Sequence, residues 1–148
     1  LKRLEAYIAL WQNPKTELNH LRCKMLNTCI EAGCKPKGIY TLTVPTGGGK
    51  TVTSLAFALH HAVTHGMKRV IYIIPYTSII EQNAEVFRNI LGSGNVLEHH
   101  SGVEFDLSDG ASPEEIRRAL ASENWDMPLV VTTAARFFDS LYANRSSK

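Results

Sequence analysis

Six consecutive residues, Thr46-Gly47-Gly48-Gly49-Lys50-Thr51, bring together the groups that a phosphate chain needs. Glycines let main-chain N–H groups curl around phosphate oxygens with no Cβ in the way. A lysine ammonium can reach the β- and γ-phosphates, and a threonine hydroxyl can ligate the Mg²⁺ that travels with them. With its flanks, the run Pro45, Thr46, Gly47, Gly48, Gly49, Lys50, Thr51 and Val52 is the candidate site for a nucleoside triphosphate. Lys50 and Thr51 are its candidate catalytic residues, and Thr51 its contact to Mg²⁺ through the nucleotide. The general pattern G-x-x-x-x-G-K-[ST] asks for glycine where this chain has Val44. Some nucleotide-binding families relax that position. The plain alternative is a glycine turn carrying an exposed lysine.

Such a loop works only between a strand and a helix, and the flanks predict both. Residues 38–44 (GIYTLTV) are short, β-branched and aromatic, as in a buried strand. Lys50 to about His65 reads as a helix with Leu55, Ala56, Leu59 and Val63 on one side, closed by Gly66. Residues 69–74 (RVIYII) predict a second buried strand, stopped by Pro75, and Ser78 to Leu91 a helix. Val96-Leu97 predicts a short strand, 101–112 a loop, and Ser112-Pro113-Glu114-Glu115 a capped helix start. A last strand, 128–133, and a last helix, from Ala134 to about Ala143, complete the order. Upstream lie helical patterns over residues 1–12 and from Pro14 to Gly33. Strands that are nearly all apolar and alternate with helices imply a parallel sheet covered on both faces, with the ligand at the strands' carboxyl ends.

Composition sets outer limits. The chain has 148 residues, 44% hydrophobic and 20% charged, as a soluble globular domain does. A net charge of +2 does not by itself argue for a polyanion partner. The cysteines, Cys23, Cys29 and Cys34, are odd in number and form no C-x-x-C pair, so they read as small apolar helix residues in a reducing cytosol. No apolar run reaches the roughly 18–20 residues of a membrane span. The chain starts at Leu1 without Met or signal-peptide organisation, and so reads as a piece of a longer protein.

Longer stretches carry a resemblance. Residues 42–51 with 54–59 (SLAFAL) resemble helicase motif I of the CRISPR-associated helicase-nuclease of type I systems. Residues 72–82 (YIIPYTSIIEQ) resemble its motif Ia, and His99-His100-Ser101 the segment after it. Residues 130–133 with 137–145 resemble the stretch before its DEAH box. The resemblance implies an α/β, RecA-like P-loop domain of a superfamily-two helicase, incomplete and preceded by helices: 1–36 a helical lead-in, 37–148 the first RecA-like domain cut before the DEAH box. It further implies ATP and Mg²⁺ as cofactors and single-stranded DNA as partner. Movement would be 3′ to 5′, with recruitment of the parent in the cytoplasm by a guide-RNA surveillance complex. The second RecA-like domain and the HD nuclease domain are not in this sequence. By resemblance, Pro75, Tyr76, Thr77 and Gln82 line the DNA path; the hydroxyls of Thr77, Ser78, Thr132 and Thr133, at strand ends, suit contact with a DNA phosphate.

Simpler roles stand beside these. Thr77, Ser78, Thr132 and Thr133 suit the capping of helix or strand ends as well as phosphate contact. Phe137 and Phe138 could stack on bases, though their spacing with Leu141 fits a core. Tyr40 and Tyr72 read as packing residues. Arg22 can touch adenine or phosphate, or carry a solvated charge. The six histidines have no ligand spacing for a metal. No apolar segment ends in Asp-Glu, so this chain alone is expected to bind nucleotide weakly and not to turn it over. A small-molecule kinase, a nucleotide switch or a non-catalytic binding module are the alternatives.

Overall fold

The computed structural model describes residues 1–9, 11, 14–45, 47–102 and 112–143. Two compact units divide the chain, Leu1–Val70 and Ile71–Lys148. Within the first unit, the lead-in helix packs on the helix that follows the glycine loop.

In the first unit, α1 (Lys2–Ala9) buries Leu4 and Ile8. It is shorter than the predicted 1–12; Trp11 already sits in a turn, and Leu10, Gln12 and Asn13 lie outside the described residues. Helix α2 (Glu17–Gly33) starts after Thr16, whose hydroxyl accepts from the Asn19 N–H at 3.3 Å. That cap, rather than Pro14, sets the helix start. Helix α3 (Lys50–Thr64) runs along α2, and Gly66 at φ +62° follows its end as expected. The two helices close on each other at Gly33, where a Cβ would lie 2.8 Å from His60 Cβ and 2.9 Å from the Phe57 carbonyl. His61 Nδ1 is 3.0 Å from the Gly33 carbonyl and His65 Nε2 2.8 Å from that of Lys35, so imidazoles in and just past α3 meet carbonyls at and just past the end of α2.

The strand predicted at 38–44 is not formed. The segment has no regular structure, and Ile39 is 98% exposed. An apolar, β-branched segment becomes a strand only when a neighbour takes its N–H and C=O groups, and 38–44 joins no sheet among the described residues. Tyr40 is packed by ring contact instead, against Phe57 and His61 of α3. Only Val44, next to the loop, is buried.

The second unit holds β1 (Val70–Ile73), α4 (Thr77–Leu91), β2 (Val96–His99), α5 (Pro113–Asn124), β3 (Leu129–Thr132) and α6 (Ala134–Ala143). The predicted loop over 101–112 lies mostly outside the described residues. The strands form a parallel sheet in the order β1-β3-β2, with Val96 opposite Leu129 and His99 opposite Thr132. All four residues of the central strand β3 are fully buried, the signature of a strand covered on both faces. On one face Leu97 and Val130 join Ala121, Trp125 and Met127, with Phe137 of α6 against them. On the other, α4 sets Phe87 4.9 Å from the Tyr72 ring. At the edge, β1 alternates: Tyr72 is half-buried, whereas Ile71 and Ile73 are exposed, and among the described residues no strand pairs beyond it.

Two substitutions test this packing. Gly33→Ala should cost about 1–3 kcal/mol, since the new methyl meets backbone that cannot yield. Phe87→Ala should cost about 3–5 kcal/mol by opening a cavity under the sheet. Urea unfolding of each variant measures both.

Candidate nucleotide-binding site

The glycine loop joins Val44 to α3. Gly47 and Gly49 both sit at φ +79°, where any side chain is strained. Gly48 is needed for a different reason: a Cβ there would lie 2.6 Å from Val44 Cγ1 and 3.0 Å from Met25 Cε. The Gly48 N–H donates to the Pro45 carbonyl at 3.0 Å, which tightens the turn. Gly49 caps α3, and no side chain caps the helix start. Its carbonyl accepts from the Thr53 N–H at 3.0 Å and the Thr53 hydroxyl at 2.9 Å. Lys50 opens α3 and is exposed, Thr51 is half-buried, Val52 is buried and Pro45 is exposed. Thr46 lies outside the described residues. A helix start without a side-chain cap, reached through left-handed glycines and followed at once by an exposed ammonium, has the hydrogen-bond donors and positive charge a triphosphate requires.

Three side chains outside the motif shape the loop. Arg22 donates from Nε and Nη2 to the Gly47 carbonyl at 3.0 and 2.7 Å. Met25 lies against Gly48, and the Trp11 ring lies beside Gly49, 3.3 Å from where its Cβ would be. Arg22 was legible as a candidate from its place upstream. Trp11 and Met25 were not, because helical spacing marks them only as apolar.

In the second unit, Pro75, Tyr76, Thr77, Ser78 and Gln82 are all exposed around the start of α4, at the carboxyl end of β1. The N-cap position of α4 is Tyr76, and no side chain caps it, so neither Thr77 nor Ser78 fills the capping role weighed for them. Thr132 and Thr133 differ. Thr132 is fully buried and donates to the His99 carbonyl at 2.6 Å, while the Thr133 hydroxyl accepts from the Arg136 N–H at 3.2 Å and starts α6. Thr132 thus bonds across the sheet, and Thr133 caps the start of α6. Phe137 packs against the core at 6.1 Å from Trp125, and Phe138 is 52% exposed.

Glu81, Glu98 and His100 place three possible ligand atoms within 4.8 Å of one another. Sequence spacing did not reveal the group, because Glu81 comes from another element. The proton positions argue for a hydrogen-bonded network here. His100 Nδ1 accepts from the Gly102 N–H at 3.1 Å, so the ring carries its proton on Nε2 and donates to Glu98 at 2.8 Å. Glu98 is also paired with Arg88. A cation would have to displace both the proton and the guanidinium.

Residues 26–148 match the DEAD/DEAH box helicase family. The chain belongs to that family. Over 122 residues it is also 32% identical to the CRISPR-associated nuclease/helicase Cas3 of Haloferax volcanii, a match that covers 70% of this chain and 13% of that protein. This DEAD/DEAH box helicase segment is thus Cas3-like, with an α/β, RecA-like architecture that is incomplete. Membership of this family supports an ATP-dependent, helicase-related nucleotide-binding role. Among the described residues no helix is long and apolar enough to cross a membrane.

Two outcomes follow from titratable groups. His99 accepts from Trp125 Nε1 at 2.9 Å, and its pKa lies below the ordinary 6.5 because burial strips its water and because Arg136 and then His100 face it. Below about pH 6.5 the unfolded chain therefore takes up a proton that the folded chain resists. Stability is complete above that pH and falls as pH drops through the folded pKa. His99→Gln should show a shallower loss of urea midpoint between about pH 7 and 5 than the unsubstituted protein. Among the thiols, Cys34 is exposed, Cys23 half-buried and Cys29 buried with its pKa pushed up by burial. The expectation of three packed cysteines thus fails at Cys34, which lies just past the last turn of α2. A thiol-labelling time course should modify Cys34 first and Cys29 last.

Proposed function

We propose that this chain is the nucleotide-binding part of an ATP-dependent, 3′-to-5′ single-stranded DNA translocase that acts in CRISPR interference in the cytoplasm. In this reading a guide-RNA surveillance complex recruits the parent protein, which also supplies the second RecA-like domain and the HD nuclease domain. One observation carries the nucleotide half: Gly49 at φ +79° delivers the chain into a helix start that no side chain caps, with Lys50 exposed at its first position. Mg²⁺ would supply charge neutralisation at the β- and γ-phosphates. Thr51 is the residue of this chain that would hold it, and Lys50 would hold the phosphates themselves. The DNA half is supported by the exposed Pro75, Tyr76, Thr77, Ser78 and Gln82 around the start of α4, where N–H groups and hydroxyls suit a backbone phosphate. It rests on these rather than on Thr132 and Thr133, whose hydroxyls are engaged within the chain.

Strands β1, β2 and β3 run out into Ile74-Pro75, His100-Ser101 and Thr133-Ala134, none of them an acidic pair. Hydrolysis needs such a pair to hold Mg²⁺ and orient water. The segment alone is therefore read as binding ATP weakly without turnover, which also favours a second reading as a nucleotide-binding module. ATPase assays on the full-length protein separate the two. The motor reading expects turnover stimulated by single-stranded DNA and reduced on the order of 100-fold or more in Lys50→Ala. Nucleotide binding without any turnover favours the module, and turnover indifferent to Lys50 sinks both.

A further inference from the structure

We propose that Arg22 is a positioning residue for the phosphate loop, holding the Gly47–Gly48 peptide unit in the orientation that admits an anion. The proposal rests on the nucleotide-binding reading above. That peptide unit is held at both poles. Its carbonyl oxygen accepts from Arg22 Nε at 3.0 Å and Nη2 at 2.7 Å. Its N–H, that of Gly48, donates to the Pro45 carbonyl at 3.0 Å.

Nothing in Gly47 itself selects this orientation. A Cβ there would meet no atom within 4 Å, and glycine adopts either sign of φ with similar ease. The choice must come from a partner, and the guanidinium is the charged one. Arg22 is itself steadied, because Nη1 donates to Asn19 Oδ1 at 3.2 Å, one turn earlier on α2. The planar fork thus reaches the loop from a fixed helix face.

The consequence for a ligand is electrostatic. A carbonyl turned into the loop would present its negative end to phosphate oxygens. Turned onto Arg22, it is withdrawn and its charge is balanced by the guanidinium. The chemical class served is the polyphosphate tail, whatever base it carries. A lysine could take the carbonyl with one ammonium donor but could not reproduce the fork that also engages Asn19.

The test uses the full-length protein with Arg22→Met, Arg22→Lys, Asn19→Ala and Lys50→Ala. Titration with a fluorescent ATP analogue and with inorganic tripolyphosphate, both with Mg²⁺, should show Arg22→Met weakened about 10- to 100-fold toward both ligands. Arg22→Lys should fall between Arg22→Met and the unsubstituted protein, and Asn19→Ala should lose less in the same direction. Without ligand, the Gly48 amide should exchange hydrogen faster in Arg22→Met, a change that a pure ligand contact would not cause. Melting temperatures report folding separately. Unchanged tripolyphosphate affinity in Arg22→Met, or unchanged Gly48 exchange in every Arg22 variant that folds, overturns the proposal. If Lys50→Ala binds as tightly as the unsubstituted protein, it is instead the nucleotide-binding reading that fails.

Discussion

Main-chain N–H groups can grip an anion only where no side chain stands between them and it, and only while something else holds the backbone in shape. The loop at 47–49 meets the first condition with glycine. Two of the three residues adopt a left-handed conformation, and the third sits where a Cβ would strike Val44 and Met25. The second condition falls to α2, which brings Arg22 onto the Gly47 carbonyl, Met25 against Gly48 and the Arg22 stem toward Gly49. Helix α2 can do this because Gly33 lets it pack closely on α3, the helix that the loop begins. Helix α2 therefore belongs to the candidate nucleotide site in a physical sense, although the motif lies wholly downstream of it.

The second unit solves a different problem, which is to hold polar groups at the carboxyl end of a buried parallel sheet. The central strand is apolar until Thr132, whose hydroxyl goes to the His99 carbonyl on the neighbouring strand. His99 in turn accepts from Trp125, which takes an unusual left-handed conformation at φ +52° and is 7% exposed within the apolar cluster. A bulky residue tolerates that conformation only when packing and hydrogen bonding hold it there. The buried Thr132 hydroxyl and Trp125 indole N–H thus each find an acceptor on His99, as burial requires. The start of α4 is exposed, and no side chain caps it.

Much of this was legible from local pattern. The helices after the loop, after Pro75, after Ser112 and after Thr133 fall within a few residues of their expected places, since each has an amphipathic period and most have a recognisable start or stop. The strands at 70–73, 96–99 and 129–132 follow from short apolar runs with turn residues beside them. The segment at 38–44 has the same local character and yet stays out of the sheet, because strand formation depends on a partner that no local pattern can supply. Ile71 and Ile73 are exposed for a related reason: edge or centre is a property of the whole sheet order. Cys34 shows the same limit on a helix, where one position beyond the last turn separates a buried thiol from an exposed one.

By itself the sequence determined the family and pointed to the phosphate chemistry proposed for the loop. Glycine, lysine and threonine at that spacing have few other uses, and their meaning is carried by adjacent residues. It determined most element types too, since periodicity is a short-range property of the chain. Tertiary structure alone decided which long-range partners these elements found: Arg22 with the loop carbonyl 25 residues later, Thr132 with His99, and Glu81 beside the Glu98–His100 pair. Such contacts depend on how helices and strands meet in space, and a linear order of residues does not specify a distance.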